Sequence, residues 1–364
     1  MSRPICATID LAALRHNFGI ARRYVGAAKL WSVVKANAYG HGLERAVHAL
    51  ADITDGFALI ELERAVQLRQ AGLKLPILLL EGFYAAAELP LFIEHRLIPV
   101  LHRIDQIATL LEAGWPSELP VYLKLDTGMH RLGFDAVGLR AAKTALAGKV
   151  AKQTLMTHFA DADGPTGVDW QLKRLADMTI GMDDAQSLAN SAALLRYPQA
   201  IGGENNWARP GIMLYGGSPF PQLKSAFDLD LQPVMTLQSE VIAVQSLDAG
   251  ESVGYGCTFT ADQPMRVGVV ACGYADGYPR HAPTGTPLLV DGLRSRLLGR
   301  VSMDKLCVDL THLPQKVGVG GTATLWGRAG DTVLLADAVA MAAGTISYEL
   351  FCALATRVPV SVIN

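Results

Sequence analysis

The sequence predicts an α/β protein: a (β/α)8 barrel of the TIM type followed by a mainly β C-terminal domain. Three observations carry that reading. Between Asp10 and about Leu214, short β-branched runs alternate with longer stretches of period 3.6, which implies a parallel sheet with helical crossovers. A doubly wound open sheet would carry a glycine-rich dinucleotide fingerprint after its first strand, and Lys35-Ala36-Asn37-Ala38-Tyr39-Gly40 does not fit G-x-G-x-x-G. Beyond Ser218–Asp230, where Pro219 and Pro221 break any helix, the chain reads as strand and turn.

Taken in order, Leu11, Leu14, Phe18 and Ala21 fall on one helical face behind Asp10, a good N-cap. Eight strands are expected next, at Leu30–Val34, Phe57–Ile60, Pro76–Leu80, Ile98–Leu101, Val121–Leu125, Thr154–Thr157, an ill-defined run near Gln186–Ala189, and Gly211–Leu214. The second domain offers strands at Val234–Leu247, Met265–Tyr274, Pro287–Val290 and Arg300–Leu310, rich in Val, Leu and Ile. Gly254-Tyr255-Gly256, Asp291-Gly292 and Gly320-Gly321 supply turn chemistry, and one helix is expected around Leu335–Ala343. This gives a barrel over residues 10–228 and a β-rich domain over 229–364.

Composition narrows the function classes. With 364 residues, 50% hydrophobic and 18% charged, the chain lies in the globular range and is long enough for two cores. A net charge of −2 without a basic stripe argues against nucleic acid. No apolar run approaches the roughly 20 residues of a membrane span, and Met1-Ser2-Arg3-Pro4 does not open a signal peptide, so a cytoplasmic location is expected. The 5 widely spaced cysteines fit reduced thiols, and the 9 histidines form no close His/Cys cluster, so no metal is expected.

In a barrel of this kind the site lies at the C-terminal ends of the strands, so polar residues just past each strand are the candidates. Lys35 follows Trp31-Ser32-Val33-Val34; an amine among apolar neighbours has a lowered pKa and forms covalent adducts with carbonyls, although a strand-end lysine also serves in plain ion pairs. Lys124 and Arg131 follow the fifth strand, His158 the sixth, and Asn190-Ser191 the seventh, while Arg209-Pro210-Gly211-Ile212 opens the eighth. One rim would gather them all. Ser191 is either a simple N-cap or, with the nearby backbone N–H groups, an anion site, to which Gly211 would add its N–H. Arg209, between Trp207 and Pro210, calls for a specific acceptor.

These residues fall into a recognisable pattern. Val33-Val34-Lys35-Ala36-Asn37-Ala38-Tyr39-Gly40-His41-Gly42 resembles the pyridoxal-phosphate attachment signature of the bacterial alanine racemases. The resemblance continues through Lys124-Leu125-Asp126-Thr127-Gly128-Met129-His130-Arg131-Leu132-Gly133, Arg209-Pro210-Gly211-Ile212, Val253-Gly254-Tyr255-Gly256, Gly273-Tyr274-Ala275-Asp276-Gly277-Tyr278-Pro279 and Val301-Ser302-Met303-Asp304. It implies a (β/α)8 barrel paired with a C-terminal β domain that the N-terminal residues 1–9 join.

Residue by residue, the resemblance implies that Lys35 carries pyridoxal 5'-phosphate, with Tyr39, Ser191, Gly211, Ile212 and Tyr348 around its phosphate. His158 would lie against the pyridine ring. Arg209 would face the ring nitrogen, where a group that holds its own proton keeps the ring a weak electron sink and favours prompt return of a proton to Cα. Racemisation needs a base on each face of a planar centre. The resemblance assigns Lys35 to one face and Tyr255, reaching in from the β domain of a second subunit, to the other. A phenol titrates near 10, so its phenolate would need nearby cations, for which Arg131 and His158 are the suppliers. Met303 resembles the residue whose backbone N–H receives the substrate carboxylate, and Lys124 one that is carbamylated and orients Arg131. The expected protein is therefore a homodimer with shared active sites that interconverts L- and D-alanine, supplying D-alanine for peptidoglycan or degrading it. The alternatives are a racemase of broader specificity and a non-catalytic pyridoxal-phosphate barrel. A barrel amino-acid decarboxylase would carry a triple-glycine loop that this sequence lacks.

Overall fold

The computed structural model describes residues 3–364. They form two compact units. One comprises Phe18–Ala38 with Gly42–Leu214; the other comprises Tyr39–His41, Tyr215–Asn364 and the N-terminal stretch through Asn17.

The first unit is built on eight parallel strands: Lys29–Val33, Gly56–Leu59, Ile77–Leu79, Ile98–Leu101, Val121–Lys124, Gln153–Met156, Ala185–Ser187 and Trp207–Ala208. The first seven pair in sequence order, and the last returns to the first, with Lys29 opposite Trp207 and Leu30 opposite Ala208. A parallel bridge between Asn190 and Arg209 joins the remaining edge, so the sheet is a near-closed barrel. Runs such as Ile77-Leu78-Leu79 are buried throughout, as expected of strands covered on both faces. The helix Leu43–Leu50 shows how the covering works, burying Leu43, Ala46, Val47, Ala49 and Leu50 while Glu44 stays exposed. Inside the barrel the Trp31 ring stacks on Trp207 with centroids 4.1 Å apart, and its indole N–H donates to the Tyr122 hydroxyl at 3.0 Å.

The eighth strand is not where the sequence places it. Gly211–Leu214 is not extended: Ile212–Tyr215 is a 3-10 turn, with the Leu214 N–H donating to Gly211 O. Pro210 has no N–H for a ladder and favours an extended Arg209, so the strand ends ahead of the Arg-Pro pair.

The second unit centres on Met235–Leu247, a 13-residue strand that pairs antiparallel with Cys6–Asp10, Met265–Val270 and Thr322–Ala329. Cys6–Asp10 pairs in turn with Val360–Ile363, in parallel. Asp291 and Gly292, with φ of 49° and 77°, make the tight turn between the antiparallel strands Pro287–Val290 and Leu293–Leu298.

Several expectations for this unit need correction. Met265–Tyr274 ends as a strand at Val270, because the Gly273 N–H turns back to the Asp276 carboxylate and Tyr274–Asp276 forms a 3-10 turn. Arg300–Leu310 narrows to Leu306–Asp309. Leu293–Leu298 was hidden by its polar alternation, Arg294-Ser295-Arg296, on a half-exposed face, and a second helix, Ser347–Cys352, comes after Ala336–Ala342. No helix among the described residues is long and apolar enough to cross a membrane.

Candidate active site

Lys35 stands two residues past the first barrel strand, at the entrance to an unusual backbone turn. Ala36, Asn37, Ala38 and Tyr39 have φ of 53°, 54°, 53° and 52°, one turn of left-handed helix made without glycine. Such a turn costs about 1–2 kcal/mol per residue for L-amino acids, so neighbours must over-determine it. Glu61, at the end of the second barrel strand, accepts the Ala36 N–H at 3.2 Å; Asn37 Oδ1 accepts the Leu43 N–H at 2.9 Å; and Asn37 O accepts the Gly42 N–H at 2.9 Å. Gly40 is required for a separate reason. Its φ is 78°, and a Cβ there would lie 2.0 Å from Phe351 O.

The barrel rim concentrates positive charge. Lys124 is 8% exposed and Arg209 5%. Burial, then the charges of Arg209, Arg131 and Lys35, pull the Lys124 amine down to about 8, against a weaker upward pull from Glu81. The same groups act on half-buried His158, where burial, Arg209, Lys124, Arg131 and Lys35 in that order push its pKa well below the ordinary value. Burial and these charges together favour the neutral imidazole. Arg209 is pulled down by burial to about 10 and keeps its proton. Its Nη1 donates to the Ser187 carbonyl and to Ser187 Oγ at 2.7 Å, and its Nη2 to Thr157 O at 2.6 Å and Leu188 O at 3.2 Å. Nε is the guanidinium nitrogen left without a hydrogen bond among the described residues.

Arg131 itself is exposed, in a loop organised by Asp126. That carboxylate accepts the Gly128 and His130 N–H groups, each at 2.9 Å. A Cβ on Gly133, whose φ is 136°, would meet Asp126 N at 2.5 Å, so the loop closes only with glycine there.

Ser191 and Gly211 meet, but not as the sequence suggests. The Gly211 N–H donates to Ser191 Oγ at 2.8 Å, so Gly211 has already used the N–H expected to face an anion, while the Ser191 hydroxyl hydrogen remains to be donated. Asn190, not Ser191, is the N-cap, accepting the Ala193 N–H at 2.9 Å. Ile212 comes next in the 3-10 turn and is buried. In the β-rich unit, the Tyr39 ring stacks on Tyr215 at 4.7 Å and tilts toward Tyr348 at 6.0 Å. Tyr255 and Met303 stand out from that unit, 71% and 53% exposed.

Sequence reasoning passed over several groups beside these. Glu61 and Glu81 are rim carboxylates with no motif of their own. His102, at the fourth strand's end, has a buried Nδ1 without a partner. The Arg300 guanidinium lies beside the Tyr255 turn, 3.0 Å from where a Gly256 Cβ would sit. Only their position past a strand or turn marked them. No cluster of His, Cys, Asp or Glu suited to a metal occurs among the described residues.

Residues 9–219 match the family model for the alanine racemase N-terminal domain, and 234–362 match its C-terminal domain. The chain belongs to the alanine racemase family. An alanine racemase of Polaromonas naphthalenivorans is 52% identical over 369 residues, with all of both chains covered. A catabolic alanine racemase of Salmonella typhimurium is 50% identical over 361 residues, 99% of each. Among solved structures, the biosynthetic alanine racemase of Pseudomonas aeruginosa superposes with a TM-score of 0.94 at 46% identity, again covering 100% of both chains. Alanine racemases are pyridoxal-phosphate-dependent isomerases, and the rim described above suits that cofactor. Clustered cations that depress one another's pKa values favour an anionic guest, and a buried guanidinium with one open N–H favours a fixed acceptor such as a ring nitrogen.

Proposed function

We propose that this protein interconverts L- and D-alanine by a two-base mechanism in which Lys35 and Tyr255 serve opposite faces of Cα. The observation that carries this reading is the rim itself, where Lys35 shares one electrostatic neighbourhood with Lys124, Arg131, Arg209 and His158 in a chain of the alanine racemase family. Pyridoxal phosphate, held covalently by Lys35, supplies the electron withdrawal that acidifies the α-hydrogen.

The residues divide the remaining work. Ser191, Tyr39, Tyr348 and the backbone at Ile212 hold the phosphate, with Ser191 the hydroxyl donor and Gly211 supporting it through its N–H. Arg209 keeps its own proton and so limits electron withdrawal by the ring. Neutral His158 packs against that ring. Arg131 and the Met303 backbone N–H orient the substrate carboxylate. The Tyr255 phenolate takes the α-proton from L-alanine, and the Lys35 amine returns a proton to the other face; from D-alanine the roles reverse. Arg131 is the principal cation for the phenolate, ahead of His158. A Lys124 amine titrating near 8 is also poised to add CO2, forming an N–C bond and releasing one proton, and the resulting carbamate would pin Arg131.

In this reading residues 10–228 form the cofactor-binding barrel, while 229–364 with 1–9 form a domain that contributes to the partner's active site in a homodimer. A cytoplasmic enzyme that makes D-alanine for peptidoglycan, or consumes it, fits both the biosynthetic and catabolic names among its relatives. The test is turnover of L-alanine, L-serine and L-lysine by purified protein with its absorption spectrum recorded. Racemisation of alanine well above the other two supports the proposal, and absence of any racemisation with cofactor bound contradicts it.

A further inference from the structure

The β-rich unit contains a charge cluster that no catalytic role accounts for. The Asp276 side chain is fully buried, and its carboxylate accepts Arg3 Nη1 on Oδ1 at 2.7 Å, Arg3 Nη2 on Oδ2 at 2.9 Å, Arg357 Nε on Oδ1 at 2.8 Å and the Gly273 N–H on Oδ2 at 3.0 Å. Arg357 Nη2 continues to Asp304 Oδ1 at 2.6 Å, and Arg3 Nη2 reaches Ala271 O at 3.3 Å and Asp304 O at 3.5 Å. Burial alone would raise the Asp276 pKa, but its arginine and backbone donors hold it below the usual carboxylate range. A buried charge with this many donors is over-determined in position.

What it positions is the turn that carries Met303. The Tyr274 N–H donates to Ser302 O and the Ala275 N–H to Met303 O, both at 3.0 Å. A Cβ on Gly273 would lie 2.3 Å from Ser302 O and 2.4 Å from Met303 O, so the two segments meet backbone to backbone. Residue 303 is thereby held on both sides, its own carbonyl by the turn Asp276 anchors and its successor, Asp304, by Arg357.

We infer that Asp276, with Arg3, Arg357 and Asp304, is a positioning cluster for substrate binding: it fixes the direction of the Met303 backbone N–H and the place of the neighbouring Tyr274 ring. The inference rests on the reading that this N–H meets the substrate carboxylate. The cluster touches no reacting atom. Its effect is on how well a carboxylate is received, and it draws together residues 3, 276, 304 and 357, which are far apart in the chain.

Arg357→Ala tests it without emptying the buried position, since the Arg357 side chain is 39% exposed and Asp276 keeps Arg3. In the holoenzyme, KM for L-alanine and the inhibition constant of propionate, which is alanine without its amine, should both rise about tenfold, the scale of one hydrogen bond to a charged group. kcat should stay within about threefold, and Arg357→Lys should recover part of the loss. An unchanged KM and inhibition constant with a lowered Tm would overturn the inference and leave the cluster purely structural. Met303→Pro, which removes the N–H donor together with the side chain, is compared with Met303→Ala, which removes only the side chain, to separate the two premises. If propionate inhibits Met303→Pro as well as the parent, the Met303 reading fails and takes the inference with it. If Met303→Pro loses propionate and Arg357→Ala does not, the positioning inference alone is overturned.

Discussion

Glu61 Oε1 accepts the backbone N–H of Ala36 at 3.2 Å, so a rim carboxylate holds the chain one residue past the lysine proposed to carry the cofactor. This contact enters a left-handed turn at its first residue, and the turn fixes where the backbone leaves Lys35. Glu61→Ala should therefore weaken cofactor retention several-fold while leaving the fold intact, measured as release of pyridoxal phosphate on dilution. Retention equal to the parent would assign the turn's geometry to Asn37 and Gly40 alone.

The same turn predicts an inverted glycine effect. In an ordinary helix interior, Ala→Gly destabilises by about 1 kcal/mol. At Ala36, where φ is 53°, glycine relieves backbone strain of similar size, so Ala36→Gly should leave Tm unchanged or raise it. A fall in Tm of several degrees would mean that the left-handed conformation is not strained.

Lys35 should be the single attachment point. Borohydride reduction of the loaded protein and subsequent peptide mapping should fix the label on the peptide containing Lys35, and Lys35→Ala should bind the cofactor only reversibly and lose turnover. A label on Lys124, the buried lysine of the rim, would overturn the assignment.

The Lys124 amine gives a pH signature. Its folded pKa, near 8, lies below the unfolded value of about 10.4. Between those pH values the unfolded chain binds the proton and the folded chain does not, so this group makes stability rise with pH across that window. In CO2-free buffer, where Lys124 carries a free amine, Lys124→Met should flatten that rise in denaturation midpoints measured from pH 8 to 10. An unchanged slope would show that Lys124 is not the titrating group.

Much of this was legible in the sequence, for identifiable reasons. The barrel was readable because its strands are short apolar runs with both faces covered, and Lys35, Lys124 and His158 were readable because they sit at strand ends. The eighth strand was misplaced because Gly211-Ile212-Met213-Leu214 looks β-forming, whereas Pro210 and the Gly211 carbonyl turn it into a 3-10 segment. The left-handed turn left no trace, since Ala-Asn-Ala has no glycine and tertiary contacts impose the conformation. His158 looked like a cation by residue type; burial first, and then the crowd of neighbouring charges, favours its neutral form. The Asp276 cluster was invisible because Arg3 and Asp276 lie 273 positions apart.

Central to the proposed chemistry is that two bases, Lys35 and Tyr255, face Cα from opposite sides and from different subunits. The most direct measurement is exchange of the α-hydrogen with deuterated solvent in Tyr255→Ala, monitored from each alanine enantiomer before conversion. A two-base site predicts a loss of about 10²–10⁴-fold starting from L-alanine, a far smaller loss starting from D-alanine, and partial recovery of racemisation when Tyr255→Ala and Lys35→Ala subunits are mixed. Equal losses from both enantiomers, or no recovery despite confirmed subunit exchange, would contradict it.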